Sequence, residues 1–201
     1  MTAYFTIKLI ENMKKNTIIA ALFLLSSTTF AQTWTVDKGH SRLGFTFTHL
    51  SIAELGGTFN SFDAKFTSSK PDFTDAVIEL SADVNSIDTD NEQRDTHLKT
   101  ADFFDTQKYP TLTFKSTSFK KVADKKYKLA GDLTLHGVTK PVVLDVVLGG
   151  TATHPMNKKQ MAGFKITGTI KRTDFGIAAT TPTAMLSDEV TLIAGAEFTK
   201  D

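Results

Sequence analysis

The residues most able to bind a metal or to move a proton are the five histidines of the chain. They are His40, His49, His97, His136 and His154. No two of them lie two, three or four residues apart, so the spacing predicts no local metal-binding pair. His40 and His136 stand beside predicted turns, and hydrogen bonding within those turns is the simplest role for each. An enzyme that uses His40, His97 or His136 stays open as an alternative, which substitution of all three would test.

A cluster of carboxylates between residues 88 and 105 could in principle serve acid–base chemistry. Its members are Asp88, Asp90, Glu92, Asp95, Asp102 and Asp105. Thr89 and Glu92 have the spacing of a capping box, so we interpret the cluster as the start and solvated face of a short helix. A calcium loop beginning at Asp88 would need Gly where Gln93 stands. Since no Gly-x-Ser-x-Gly motif occurs either, the sequence predicts no catalytic site, no metal and no cofactor.

Composition excludes several further classes of function. The chain has 201 residues, with 23 Lys and Arg against 22 Asp and Glu, and a formal net charge of +1. This balance argues against general electrostatic attraction to nucleic acid or to an anionic membrane. The chain contains no cysteine, which excludes disulfides, thiolate catalysis and thiolate metal sites.

The first thirty-one residues have the layout of a secretory signal peptide. A basic segment at 13–16 precedes an apolar run at 17–25, and small residues then lead to a cleavage site after Ala31. The run is too short to span a membrane, which takes about 20 apolar residues. We therefore predict cleavage of residues 1–31, a single mature domain at 32–201, and a periplasmic or secreted protein. Both Met1 and Met13 stay open as the start.

The mature chain shows the alternation of apolar and polar residues that is typical of half-buried strands. It occurs or is expected at 33–37, 43–49, 57–66, 76–84, 111–118, 127–135, 142–148, 164–170 and 190–198. These segments predict eight or nine antiparallel strands, with one short helix near 90–104. Such strands can bury one face in a sandwich or in a closed barrel, and periodicity does not separate the two. We expect an all-β fold, a closed antiparallel barrel of about eight strands.

Several short motifs, taken in order, resemble the YceI-like family. Trp34 to Asp37 and His40 to Phe45 resemble its opening, and the segments 83–99 and 101–105 resemble its middle. The segment 131–141 (GDLTLHGVTKP) resembles its central hairpin, and 172–176 (RTDFG) its last motif. The resemblance covers nearly all of 33–200. It implies a lipocalin-like barrel, exported to the bacterial periplasm, that binds a polyisoprenoid chain inside.

We therefore expect a non-enzymatic carrier that holds a long apolar ligand. This ligand would be a polyisoprenoid such as a prenyl phosphate or a prenyl quinone, or another long-chain lipid, and the role would be transport, storage or stress protection. Strand phase, meaning which alternate residues face inward, predicts the barrel lining. The predicted lining is Phe45, Phe47, Ile78, Leu80, Phe114, Leu133, Leu135, Leu144, Val146, Phe164, Ile166 and Ile170. The charges of Arg42, Arg94 and Lys99 make them candidates for contact with a head group.

The alternative is a β domain with a solid core that acts through protein contacts on its surface. Strand alternation does not distinguish a hollow interior from a packed one, because both need an apolar inner face. The sequence also leaves the oligomeric state open, with a homodimer as one possibility.

Overall fold

The structure is a computed structural model that describes residues 31–201. The predicted signal peptide lies outside the described residues, apart from Ala31 itself. Among the described residues, no helix combines the length and the hydropathy needed to cross a bilayer.

The described chain forms eleven strands and one α-helix. The strands are β1 (Gln32–Val36), β2 (Arg42–His49), β3 (Ala53–Phe59), β4 (Phe62–Ser68), β5 (Val77–Asp83), β6 (Ile87–Asp88), β7 (Thr111–Ala123), β8 (Lys126–Leu135), β9 (Val138–Thr153), β10 (Gln160–Lys171) and β11 (Leu186–Lys200). Helix α1 is Glu92–Leu98, and short 3-10 turns lie at Lys38–His40, Val84–Ser86 and Arg172–Phe175. All strand pairs are antiparallel.

Three long strands are each interrupted at the same level of the sheet, so that each consists of two short strands: β1 with β2, β3 with β4, and β5 with β6. β1 and β2 both pair with β11, β4 pairs with β1 and β5, and β3 pairs with β2 and β6. Adjacent interruptions are bonded to each other: the Asn60 N–H donates to the Ser86 carbonyl at 3.1 Å, and the Asp83 N–H donates to the Ser61 carbonyl at 2.9 Å. With β1–β2, β3–β4 and β5–β6 each counted as one strand, the sheet closes as eight antiparallel strands. This confirms the predicted closed barrel.

The helix is confirmed but is shorter than the predicted range near 90–104. Asn91, and not Thr89, caps its first turn, because the Asn91 side chain accepts a hydrogen bond from the Arg94 N–H at 2.9 Å. Asp90 has a φ of +59°, which is outside the helical region and separates Thr89 from the helix. After Leu98 the chain continues in turns, in which the Phe104 N–H donates back to the Leu98 carbonyl at 3.0 Å.

One end of the barrel is filled by aromatic rings. Trp34 stacks on Phe66 with ring centroids 5.4 Å apart, and Phe73 meets both rings edge-on. Phe164 and Phe198 pack edge-on against Phe66 at 5.8 and 5.0 Å. Edge-to-face contacts of this kind are favourable beyond the apolar area that they bury. These rings therefore close the barrel interior at this end, where the loop between β9 and β10 also lies.

The opposite end is covered by connecting segments. The β2–β3 hairpin, α1 with the turns that follow it, the β8–β9 turn and the segment 172–186 all lie there. The Ala178 N–H donates to the Asp102 carbonyl at 3.0 Å and joins two of these segments. These segments, with the strands below them, surround the site.

Candidate functional site

The interior between the aromatic end and the covering segments holds a cavity of about 730 Å³. Most of its wall consists of Phe, Leu, Ile, Val and Ala side chains from the inward faces of the strands. Small-molecule sites commonly measure about 300–1,000 Å³ and are mostly apolar, so this volume suits a ligand rather than a packing defect. An arrangement of this kind can hold a hydrocarbon chain and keep water away from it.

The cavity wall contains nine of the twelve residues predicted from strand phase. They are Phe45, Phe47, Ile78, Leu80, Phe114, Leu133, Leu135, Ile166 and Ile170. The alternation of apolar residues predicted that they face inward, and their positions along the strands also place them at the same depth in the barrel as the cavity.

Leu144, Val146 and Phe164 lie outside the cavity wall. Leu144 and Val146 are buried in the core, and the Leu144 side chain fills the space above Gly168. Phe164 belongs to the aromatic cluster at the closed end. All three have apolar surroundings as expected. They face the interior but lie away from the cavity, because position along the barrel, as well as the face of the strand, decides which side chains reach it.

Strand phase missed the part of the wall that comes from connecting segments. Leu98, Phe103 and Phe104 line the cavity from α1 and the turns after it, and Ile177 and Met185 line it from the segment before β11. Leu98, Ala101 and Phe104 are spaced three residues apart, which is typical of one face of a helix, so this part of the wall does carry a signal in the sequence. The segment 177–186 carries no periodic signal, so only the folded chain shows that it closes the wall.

Arg172 holds this segment in place and is only 3% exposed. An arginine has five N–H groups, and all five are used here on backbone carbonyls. Nε donates to Ser187 at 3.1 Å, and the two Nη atoms donate to Ile177, Ala178, Thr181 and Leu186. Because one planar guanidinium gathers carbonyls from residues 177–187, it fixes the path of this part of the cavity wall.

Two of the three head-group candidates reach the cavity. Arg94 and Arg42 are on its wall, whereas Lys99 is not. Arg94 is oriented by Thr89, because its Nε donates to Thr89 Oγ1 at 2.7 Å and its Nη2 donates to the Thr89 carbonyl. Thr89 Oγ1 in turn donates to Asp95 Oδ1. The guanidinium is therefore positioned at the cavity before any ligand binds.

The histidines have separate surroundings. His136 Nδ1 lies 2.9 Å from the Phe175 carbonyl and its ring packs edge-on against Tyr109 at 4.8 Å, which fits the structural role expected for a turn residue. The ring of His97 packs edge-on against Phe103 at 4.8 Å at the cavity wall.

His40 belongs to a small polar group with Asp37 and Glu197. One ligand atom from each lies within 4.8 Å of the others, so these three could hold a metal ion. The local contacts already explain the arrangement, because Asp37 Oδ2 lies 2.9 Å from His40 Nδ1 and Asp37 Oδ1 accepts the Gly39 N–H. The hydrogen bond with Asp37 raises the pKa of His40, and the same bond lowers the pKa of Asp37. We assign the group to capping of the 3-10 turn.

A closed antiparallel barrel of eight strands around an apolar cavity is the architecture of lipocalin-like barrels. Comparison with known proteins then identifies the family: the YceI-like domain model matches residues 34–198, and the chain belongs to that family. The resemblance found in the sequence motifs is thereby confirmed.

Individual relatives agree with this assignment. The YceI protein of Salmonella newport is 39% identical over 190 residues, which cover 92% of this chain and 97% of the relative. The crystal structure of the Campylobacter jejuni YceI protein is 33% identical with a TM-score of 0.68, and the match covers 77% of this chain and 90% of that one. A polyisoprenoid binding domain from Saccharophagus degradans has the same fold, with a TM-score of 0.61 at 14% identity over 85% of this chain and 99% of that one.

Proposed function

We propose that this protein is a non-enzymatic carrier that holds a polyisoprenoid chain, such as that of a prenyl phosphate or a prenyl quinone, inside its barrel. Its role would be transport, storage or stress protection outside the cytoplasm, in the periplasm or as a secreted protein. The observation that carries the proposal is the apolar cavity of about 730 Å³ within a closed barrel. The polyisoprenoid binding domain from Saccharophagus degradans, which shares the fold, supports this ligand class. The cavity favours a carrier over the alternative of a solid core that acts only through its surface.

The energetics of an apolar chain suit a site with few polar groups. Each buried methylene contributes about 0.8 kcal/mol, so about ten buried carbons supply about 8 kcal/mol. That free energy corresponds to a dissociation constant of about 1 μM before the cost of ordering the chain. A ligand of this kind needs no catalytic or metal group to be retained.

The polar contacts would come from two arginines of the cavity wall, one on α1 and one at the start of β2. Arg94 and Arg42 would meet a phosphate or the oxygens of a quinone, because guanidinium groups match such acceptors. Lys99 drops out of this proposal, since it is not on the wall.

The experiment is mass spectrometry of organic extracts from the protein purified from its own cells, together with uptake of a prenyl phosphate and a prenyl quinone in vitro. A cavity-filling variant, Ala194→Phe, should reduce bound lipid, because Ala194 is a small residue on the wall. Val143→Phe is the matched control, since Val143 is 60% exposed on the outer face of β9.

Replacing Phe114 or Leu135 with Asp should also abolish uptake, because each would put a charge into the apolar wall. Folding of each variant is checked by circular dichroism. An extract without long-chain lipid, combined with no uptake by the folded wild-type protein, would exclude the carrier. Equal uptake by wild type and a folded Ala194→Phe variant would place the ligand outside this cavity.

A further inference from the structure

Three large apolar side chains are exposed together at the covered end of the barrel. Leu50 and Ile52, in the β2–β3 hairpin, are 47% and 84% exposed, and Met185 is 52% exposed. The hairpin is bound to the segment before β11: the Leu50 N–H donates to the Met185 carbonyl at 2.9 Å, and Ser51 Oγ donates to the Ala184 carbonyl at 3.3 Å. We call Leu50, Ile52 and Met185 the rim patch.

The turn that presents Leu50 is unusual for its sequence. The Ile52 N–H donates to the His49 carbonyl at 3.1 Å, and the two residues between them, Leu50 and Ser51, have φ values of 51° and 58°. Two positive φ values are the pattern of a type I′ turn, for which Asn and Gly are the usual residues. The Cβ of leucine disfavours this conformation, yet Leu50 occupies the turn with 47% of its surface exposed. Its presence suggests a role for the side chain outside the folded monomer.

The rim patch is continuous with the cavity. Met185 is itself on the cavity wall, and so is His49, the residue before Leu50. Thr180 and Thr181, from the segment that carries Met185, also line the cavity. His49, Thr180 and Met185 are exposed to solvent while they line the cavity, so the cavity reaches the surface beside the patch.

The position of the patch bears on how an apolar ligand could enter. Transfer of a prenyl chain through water would expose each methylene at a cost of about 0.8 kcal/mol. Contact of the cavity mouth with a bilayer removes this cost, because the chain then moves from one apolar environment to another. A protein partner fits less well, because stable protein interfaces bury about 1,200–2,000 Å², far more than three side chains supply.

We propose that the rim patch inserts into the surface of a lipid bilayer, so that the ligand passes between the membrane and the cavity at this end of the barrel. The inference rests on the proposed function, since it assigns the route by which the proposed ligand reaches its site. The membrane contact is apolar, in keeping with a net charge near zero.

The test uses vesicles of phosphatidylethanolamine and phosphatidylglycerol and fluorophores attached to single cysteines, which the cysteine-free chain allows. One label is placed by Ile52→Cys. The control label is placed by Met156→Cys, because Met156 is equally exposed at 83% but lies in the loop at the closed end of the barrel. With vesicles, emission of a polarity-sensitive dye at 52 should shift to the blue, whereas emission at 156 should not.

The unlabelled variant Leu50→Asn separates membrane contact from folding. Asparagine suits the positive φ, so the variant should unfold at a temperature equal to or above that of wild type. Its partitioning onto vesicles, measured by flotation, should fall by about tenfold, since the apolar side chain is lost. A second variant, Ile52→Ser, removes the other hairpin side chain without changing the turn and should show a similar loss.

Three results would overturn the proposal. The label at 52 could stay in water when vesicles are added, or both variants could bind vesicles as well as wild type does. The label at 52 could also become buried with rising protein concentration in the absence of vesicles, which would assign the patch to a second copy of the chain. The lipid content of the purified protein tests the cavity separately: neither Leu50 nor Ile52 is on its wall. An empty cavity with a blue shift at 52 would refute the carrier and keep the membrane contact.

Discussion

Replacing Arg172 should weaken the wall of the cavity more than replacing any neighbouring charge. Arg172→Met keeps much of the side-chain length but removes all five donors to the carbonyls of residues 177–187. Arg172→Lys keeps the charge and offers three donors at most.

The magnitude follows from the burial of the carbonyls. Those of Ile177 and Ala178 belong to buried residues and cannot regain water, and each should cost about 1–3 kcal/mol when left without a donor. Those of Thr181, Leu186 and Ser187 belong to half-buried residues, where water can partly replace the guanidinium. We expect a loss of about 4 kcal/mol for the methionine variant and about 2 kcal/mol for the lysine variant.

Urea unfolding at neutral pH measures this loss, provided that the dependence of the unfolding free energy on urea stays constant among the variants. Limited proteolysis of the segment 176–186 gives a local readout, because a segment without its central donor should open before the barrel does. Lys171→Gln is the matched control: Lys171 is the exposed neighbour of Arg172, so its free energy of unfolding should lie within about 0.5 kcal/mol of wild type. An Arg172→Met variant within about 1 kcal/mol of wild type, and equally resistant to protease, would refute the reasoning.

Two further changes test other parts of the barrel. Burial alone would raise the pKa of Asp75, but hydrogen bonds from Ser68 and Ser69 hold that pKa well below its usual value. A carboxyl whose pKa is lowered by folding stabilises the fold fully at pH values above its unfolded pKa of about 4, and this contribution is lost as the pH falls towards the folded pKa. Asp75→Asn should therefore cost about 2 kcal/mol at pH 7 and less at pH 3, as measured by urea titrations at the two pH values. Gly131→Ala should cost about 2 kcal/mol and lower prenyl lipid uptake, because a Cβ at Gly131 would overlap the ring of Phe114 on the cavity wall.

Controls for these two changes lie close by. Asp63→Asn, at an exposed aspartate on β4, should change the free energy of unfolding at pH 7 by no more than about 0.5 kcal/mol. Gly163→Ala places a methyl where no atom lies within 4 Å and should leave uptake unchanged. A pH-independent cost for Asp75→Asn, or a Gly131→Ala variant as stable as Gly163→Ala, would contradict these expectations.

The pattern of alternating residues was a sound guide to the strands and to the face of each strand. It could not show that three strands are interrupted at one level, because 3-10 turns such as Val84–Ser86 carry no periodic signal. The capping-box spacing found the helix but placed its start two residues early. Thr89 has the right spacing to Glu92, yet its hydroxyl is bonded to Arg94 and Asp95 instead.

The residues of the candidate site were likewise predicted only in part. Phe45, Phe114 and Ile166 were predicted on the cavity wall and lie there, whereas Phe164, with the same alternation, does not. Lys99 and Arg94 were equal candidates by charge, but of the two only Arg94 lies on the cavity wall, where hydrogen bonds to Thr89 hold its guanidinium.

The sequence by itself determined the all-β class, the inward face of each strand and the family, because alternation and short motifs are local properties of the chain. The tertiary structure alone decided where the barrel is hollow. The two-residue period of a strand is the same at every depth of the barrel, so it does not show where the interior is empty. One end is filled because aromatic side chains from distant segments meet there, namely Trp34, Phe66, Phe73 and Phe164. The same holds for Arg172, whose five carbonyl partners are assembled only when the segment 177–187 folds around it.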